Sequence, residues 1–203
     1  LLRGLGAEVT HSRAKSDLAG PDGPRVDALG LPGGESSTID RLLRIFELAD
    51  PLRAVIAAGL PTLGTCAGLI LLARRILDPA PGQQSLGVLD VDVRRNAFGA
   101  QVDSAEVDLD TKLGRTHVAF IRAPEVVRVG EGVEVLARWA GAVVAVRQGP
   151  IMGLAFHPEL TGETAFHRAL LSAAACDAAE LDPGASRARR APRAGSADLT
   201  ISR

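Results

Sequence analysis

The sequence predicts an α/β domain with a mostly parallel sheet flanked by helices. Two observations favour this class. Apolar segments of strand character alternate with segments of helical periodicity. The chain also has 203 residues, 46% of them apolar, which is enough for one domain with a sizeable core.

The alternation is clearest in the first half of the chain. Residues 26–31 predict a buried strand that ends at the turn Pro32-Gly33-Gly34. Ser36 or Ser37 is the predicted cap of a helix that runs to about Leu48. Further along we expect a helix over 51–58, a strand over 61–65 and a helix over 67–76.

From residue 86 onward the pattern changes to successive strands. They are predicted over residues 88–93, 102–109, 117–121, 133–139, 142–146 and 151–156, and a closing helix over 162–175. The end of the chain is rich in Ala, Arg, Pro, Gly and Ser and has no packing pattern. We therefore assign the domain to residues 1–178 and expect a disordered tail over 179–203.

Composition narrows the classes of function. The formal net charge is −1 and no basic stripe dominates, which argues against nucleic acid as a primary partner. No apolar run reaches the roughly 18–20 residues of a membrane span. Cys66 and Cys176 are the two cysteines, so a disulfide framework is not expected and a reducing cytoplasm fits.

The run Leu63-Gly64-Thr65-Cys66-Ala67-Gly68 is the cysteine version of a nucleophile elbow. A side chain on such a turn stands clear of the sheet, and small neighbours let a substrate approach. The N–H groups of the following helix face the sulfur and favour thiolate. A small-neighboured cysteine alone is more often a packing residue, so a second element is needed.

That second element is the sequence His157-Pro158-Glu159, which follows an apolar strand. A thiolate nucleophile needs a base, and the base needs a group that orients it. Glu159 is two residues from His157, so its carboxylate can hold the imidazole. We expect Cys66, His157 and Glu159 to form a catalytic triad.

The turn Gly33-Gly34 after the first strand is a third element. Its backbone N–H groups, with that of Ala67 after the cysteine, can form an oxyanion hole. The alternatives are a plain strand-to-helix turn or a phosphate cradle. A Walker-type lysine is absent, so the argument for nucleotide binding is weak.

Three sequences in this order, L-P-G-G-E-S, G-T-C-A-G-L-I-L-L-A and F-H-P-E-L-T, resemble the triad-type (class I) glutamine amidotransferases. The stretches Arg94-Arg95-Asn96-Ala97-Phe98-Gly99, Gln101-Val102-Asp103-Ser104 and Phe120-Ile121-Arg122-Ala123-Pro124 resemble, more narrowly, the glutaminase subunits of pyridoxal 5′-phosphate synthase. The resemblance covers about residues 1–175 and implies the three-layer, flavodoxin-like fold of that family.

The resemblance implies hydrolysis of L-glutamine to glutamate and ammonia through a thioester on Cys66. His157 would act as base and then acid, and Glu159 would orient it. The glutamine site would be lined by Gly34, Glu35, Ser36, Arg95, Ile121 and Arg122. An arginine suits the α-carboxylate of glutamine, because its planar guanidinium can bind it bidentately.

The resemblance also implies a partner. Ammonia would pass to a (β/α)₈-barrel synthase subunit that makes pyridoxal 5′-phosphate, and the glutaminase itself would need no metal or cofactor. Family members begin with a strand before the first helix, and by this resemblance the sequence starts within that helix. A truncated or misassigned start is the favoured interpretation. Without that strand we expect an empty position in the sheet, with unpaired backbone groups beside it.

Two alternatives stay open at this point. One is a different cysteine amidohydrolase or amidotransferase domain on a similar fold, which the H-P-E and R-N-A-F-G sequences disfavour. The other is a regulatory subunit that is catalytically impaired because its first strand is missing. The complete set of triad residues argues against the second alternative.

Overall fold

The computed structural model describes residues 1–21, 23–97, 104–181 and 193–196. The chain begins with a 3₁₀ turn over Leu2–Leu5. The helices are α1 (Lys15–Leu18), α2 (Ser36–Ile45), α3 (Ala49–Ala57), α4 (Ala67–Leu72), α5 (Pro158–Thr161) and α6 (Ala165–Leu181). The strands are β1 (Glu8–His11), β2 (Ala19–Gly20), β3 (Gly23–Pro24), β4 (Ala28–Leu31), β5 (Thr62–Thr65), β6 (Ala73–Ile76), β7 (Leu89–Arg94), β8 (Ser104–Thr111), β9 (Gly114–Ile121), β10 (Glu125–Val129), β11 (Glu134–Trp139), β12 (Ala142–Gln148), β13 (Ile151–Leu154) and β14 (Arg193–Ser196).

One mixed sheet organises the described residues. Its strand order is β1-β14-β4-β5-β13-β12-β10-β7-β6, and β11 connects β12 to the hairpin β8–β9. Pairing is parallel from β1 to β13 and antiparallel from β13 to β7. The sheet therefore has a parallel half, as the sequence predicts, and an antiparallel half.

The parallel half is buried because helices pack on it. All four residues of β5 are buried, and α4 packs against β5 and β13. Glycines make this contact close: a Cβ on Gly64 would lie 2.6 Å from Leu72 Cδ1, and one on Gly153 would lie 2.6 Å from Leu69 Cδ1. A larger residue at Gly64 would also meet the backbone of Gly68 at 2.7 Å and would push α4 away from the sheet.

Three neighbouring parallel strands end at the same edge of the sheet. Leu31 of β4 pairs with Gly64 of β5, and Thr65 of β5 pairs with Leu154 of β13. The segments that follow these strands are the Gly33-Gly34 turn, the Cys66 elbow and the His157-Pro158-Glu159 sequence. Ligands of open α/β sheets bind at this carboxyl edge, so the topology brings the three predicted elements together.

The structure corrects some predicted boundaries. The helix predicted over 67–76 ends at Leu72, and Ala73 takes an extended conformation (φ −53°, ψ 147°) that starts β6. Parallel pairing with β7 and the Arg74–Asp92 ion pair at 3.0 Å stabilise residues 73–76 as a strand rather than as a continuation of the helix. The cap of α2 is Glu35 rather than Ser36 or Ser37, since its carboxylate accepts the Ser37 N–H.

The end of the chain also differs from expectation. Residues 193–196, within the segment expected to be disordered, form β14, which lies between β1 and β4 and pairs in parallel with both. The position expected to be empty is therefore taken by a strand, which satisfies backbone groups of β1 and β4. The other tail residues, apart from the end of α6, lie outside the described residues, and the boundary at 178/179 stays a prediction. Within the described ranges, no helix combines the length and apolar character that a bilayer crossing requires.

Candidate active site

Cys66 lies on a strained turn between β5 and α4. Its backbone has φ 48° and ψ −101°, a positive φ that is rare for residues other than glycine. The Cys66 N–H donates to the Leu154 carbonyl oxygen at 2.7 Å, and a Cβ on Gly68 would collide with the Leu31 carbonyl oxygen. Contacts with both flanking strands thus hold the elbow in its strained form.

His157 and Glu159 lie where the sequence predicts an oriented base. His157 Nδ1 is 2.8 Å from Glu159 Oε1, and the Cys66 side chain is close enough to the imidazole to raise the pKa of His157. Because Nδ1 faces the carboxylate, Nε2 is the ring nitrogen that faces the sulfur. The structure therefore brings Cys66, His157 and Glu159 together in the predicted order.

The electrostatics of the three residues are coupled. Burial alone would lower the pKa of His157, but hydrogen bonds to Cys66 and Glu159 outweigh it and raise that pKa to about 10. Burial likewise opposes ionisation of Glu159, yet its bond to His157 keeps the pKa of this carboxyl below its ordinary value. At neutral pH an imidazolium therefore lies between the cysteine and an ionised carboxylate.

One edge of β9 holds the elements that carry the triad. The carbonyl oxygens of three alternate residues point to this edge. That of His117 accepts from Thr161 Oγ1 at 2.6 Å, and that of Ala119 accepts from the His157 N–H at 2.7 Å. The Ile121 carbonyl oxygen lies 3.9 Å from Cys66 Sγ. A single strand thus contacts α5, His157 and Cys66 in succession.

Aromatic packing fixes the chain immediately before His157. The buried Phe156 ring makes an edge contact with Phe120 of β9 at 5.5 Å and with Phe166 of α6 at 5.4 Å. Trp139 of β11 stacks on Phe120 at 4.6 Å. Because rings packed in this way have little freedom to move, the direction in which His157 leaves the strand is well defined.

The Gly33-Gly34 turn lies against the imidazole. A Cβ on Gly33 would collide with the His157 ring, with Nδ1 at 3.0 Å. Gly34 has φ 138°, a conformation that residues with a side chain rarely adopt. Both glycines are therefore required by geometry, and they place backbone close to the predicted reacting atoms.

A second cluster gathers the predicted substrate-binding residues. The Glu35 carboxylate accepts from the Ser37 hydroxyl at 2.7 Å, and its Oε1 is 3.5 Å from Arg95 Nη2. The pKa of Glu35 is lowered, first by the Ser37 hydrogen bond and then by the positive charges of Arg95 and Arg122. Arg95 thus pairs with the Glu35 carboxylate beside the glycine turn, and the charge of Arg122 adds to the positive potential there.

Sequence reasoning missed the residue that connects this cluster. Gln83 is buried, bonds to the side chains of both Ser36 and Arg95, and lies in the segment between β6 and β7. No local pattern distinguishes it from Gln84 beside it. Ala119, whose role is a backbone carbonyl, also carries no sequence signal. Among the described residues, no cluster of three or more His, Cys, Asp or Glu could hold a metal ion.

Comparison with known proteins agrees with this geometry. Residues 5–174 match the model of the SNO glutamine amidotransferase family. A relative named pyridoxal 5′-phosphate synthase subunit PdxT, from Frankia alni, is 55% identical over 82% of this chain and 83% of its own length. The protein of the same name from Acidothermus cellulolyticus is 51% identical over 85% of both chains.

A solved structure supports the same assignment. A crystal structure of a glutamine amidotransferase matches with a TM-score of 0.78 and 46% identity, over 86% of this chain and 90% of that one. The predicted α/β fold, the predicted resemblance and the predicted enzyme class are confirmed. The chain belongs to the SNO glutamine amidotransferase family.

Proposed function

We propose that this chain is the glutaminase subunit of a pyridoxal 5′-phosphate synthase. The observation that carries the proposal is the alignment of Cys66, His157 and Glu159, with the 2.8 Å bond from the imidazole to the carboxylate. The names of the relatives supply the synthase and its product.

Acyl transfer begins at the elbow. The Cys66 thiolate attacks the side-chain amide carbon of glutamine, and the imidazolium of His157 gives its Nε2 proton to the departing ammonia. The product is a γ-glutamyl thioester. Neutral His157 then removes a proton from water, the resulting nucleophile attacks the thioester, and glutamate leaves as Cys66 is regenerated. Glu159 stabilises the imidazolium form of His157 before the first step and after the second.

The tetrahedral intermediates carry a negative oxygen that needs donors. We assign this role to the backbone N–H groups of Gly33, Gly34 and Ala67. Gly33 is in contact range of the His157 ring, and Ala67 is the first residue of α4, where backbone N–H groups lack partners within the helix. The Cys66 N–H is already bonded to Leu154 and is not a candidate donor.

Recognition of the amino-acid end of glutamine falls to the second cluster. Arg95 and Arg122 supply positive charge for the α-carboxylate, and Glu35 between them supplies negative charge for the α-ammonium group. Gly34 and Ser36 hold Glu35 at the start of α2, and Ile121 lines the path to Cys66. This division places the amide near the sulfur and the charged end near the arginines.

The destination of the ammonia is the synthase subunit. We propose that this partner is a (β/α)₈ barrel that combines ammonia with a pentose phosphate and a triose phosphate. We also propose a cytoplasmic complex that uses no metal or cofactor on this chain and involves neither nucleic acid nor membrane.

The test is covalent labelling of the chain in the presence of the synthase subunit. A diazo-ketone analogue of glutamine should modify Cys66, glutamine should block the reaction, and Cys66→Ala should abolish ammonia release while retaining partner binding. The exposed Cys176 is the internal control. Labelling confined to Cys176, or ammonia release by the Cys66→Ala variant, would contradict the proposal. Turnover of other amides in preference to glutamine would favour a different amidohydrolase.

A further inference from the structure

Gln83 is a buried amide whose polar atoms bond two residues of the second cluster, Ser36 and Arg95, and one backbone N–H of its own segment. Its Oε1 accepts from Arg95 Nη1 at 2.6 Å and from the Ala80 N–H at 3.0 Å. Its Nε2 donates to Ser36 Oγ at 2.9 Å. Arg95 and a backbone N–H can only donate, so the orientation of the amide is fixed by chemistry.

The segment that carries Gln83 is itself anchored to two helices. The Gln84 N–H donates to Asp40 Oδ2 on α2 at 2.9 Å, and Arg53 Nε on α3 donates to the Leu86 carbonyl oxygen at 2.8 Å. Asp40 is buried and is also paired with Arg44 at 2.7 Å. Gln83 therefore has a well-defined position from which to hold other side chains.

Arg95 is the side chain whose conformation Gln83 restricts most directly. Its backbone N–H is bonded to Asp78 at 2.8 Å, its Nη1 to Gln83 and its Nη2 to Glu35, the last at a long 3.5 Å. The short bond is the one to Gln83. Since an arginine side chain has many rotamers, this bond selects the direction of the guanidinium.

The chemical nature of residue 83 matters as much as its position. An amide oxygen binds a guanidinium without cancelling its charge, whereas a carboxylate of the same shape would form an ion pair with it. Glu35 already balances part of the positive charge near Arg95 and Arg122. A neutral partner at residue 83 keeps charge available for a carboxylate that arrives with the substrate.

We propose that Gln83 is a positioning residue for substrate recognition. It aims Arg95 and Ser36 at the α-carboxylate end of glutamine and leaves the positive charge of Arg95 free to bind that group. This inference rests on the proposed glutaminase function and deepens it by naming the group that sets the affinity for the substrate.

The test uses Gln83→Glu, with Gln84→Glu as its matched control, both with the synthase subunit present. The control makes the same chemical change on an exposed neighbour that touches the cluster only through its backbone. For Gln83→Glu we expect KM for glutamine to rise about tenfold, because Arg95 would lose its charge-assisted contact with the α-carboxylate of the substrate. We expect kcat to stay within about threefold of the wild-type value. Gln84→Glu should leave both constants unchanged.

A second readout separates positioning from a structural role. Iodoacetamide carries no α-carboxylate, so it should alkylate Cys66 at the same rate in the wild type and in Gln83→Glu, whereas protection by glutamine should need about ten times more glutamine. An unchanged KM for glutamine in Gln83→Glu would overturn the inference, whether or not kcat and the rate of alkylation also fall. If glutamine neither reacts with nor protects the wild type, the proposed function fails instead.

Discussion

The carboxyl edge of β4, β5 and β13 differs in kind from the frame around it, formed by β9 and the segment 80–95. The edge supplies the reacting groups, each from a short sequence that immediately follows a strand. The frame supplies backbone carbonyls that contact His157 and Cys66, and one buried amide that bonds Ser36 after the glycine turn, all from far along the chain. Chemistry on this fold is encoded locally, whereas alignment is assembled from distant parts.

We expect substitutions at the edge to cause large losses of activity or stability, and substitutions in the frame to cause small ones. A side chain added at the edge meets the catalytic groups directly. A bond removed from the frame leaves those groups in place with more freedom. Three experiments test this difference, and the first is expected to have the largest effect.

Gly33→Ala should lower kcat by at least about a hundredfold, the scale of an ångström-sized displacement of a catalytic group. The added methyl would collide with the His157 ring. Steady-state ammonia release measures the effect. Gly4→Ala is the matched control, because a Cβ there would meet nothing within 4 Å. Neither glycine has a positive φ, so space alone distinguishes the two variants, and equal activities would refute the close contact.

The pH dependence of stability should reveal the charged bond between His157 and Glu159, together with the interaction between His157 and Cys66, which raises the pKa of His157 more. The pKa of His157 is raised from 6.5 to about 10, so its contribution is complete below about pH 6.5 and is lost as pH rises toward 10. The pKa of Glu159 is lowered, so its contribution is lost as pH falls below its ordinary value of 4.5. The bond therefore stabilises the fold most between about pH 4.5 and 6.5.

Urea unfolding of the wild type and His157→Gln measures this contribution. We expect a difference in unfolding free energy of about 2 kcal/mol near pH 6 that shrinks toward pH 10. His117→Gln is the control: the pKa of His117 is also raised, by hydrogen bonds to Asp108 and Glu106, but its side chain is exposed. A difference for His157→Gln that stays constant from pH 6.5 to 10 would contradict the assignment.

The smallest effect should come from the frame. Thr161→Val removes the hydroxyl that bonds the His117 carbonyl oxygen of β9, and should cost about 1 kcal/mol of unfolding free energy and a few-fold in kcat. Thr111→Val removes a similar bond, at 2.7 Å to the Gly114 carbonyl oxygen in the β8–β9 turn. Thr111→Val should lower the unfolding free energy by as much as Thr161→Val but leave kcat unchanged. Loss of kcat in both variants, or in neither, would remove the distinction between frame and edge.

The sequence predicted the triad and the glycine turn because each lies within a few consecutive residues. His157 and Glu159 are two apart, and Cys66 has small neighbours on both sides. Gln83 was missed because its significance depends on Ser36 and Arg95, which are 47 and 12 residues away. The start of β6 was missed for a similar reason, since no glycine or proline separates Ala73-Arg74-Arg75-Ile76 from α4 and only pairing with β7 makes this segment a strand.

By itself, the sequence determined the α/β class and the family, and it predicted the order of the proposed catalytic groups, because strand-ending turns and the chemistry of their side chains are local properties. Tertiary structure decided which backbone carbonyls contact the predicted triad, which amide bonds Arg95, and that β14 lies between β1 and β4. Those features are pairings across long separations. They form because buried backbone and polar groups must find partners, and no short stretch of sequence specifies which partner that will be.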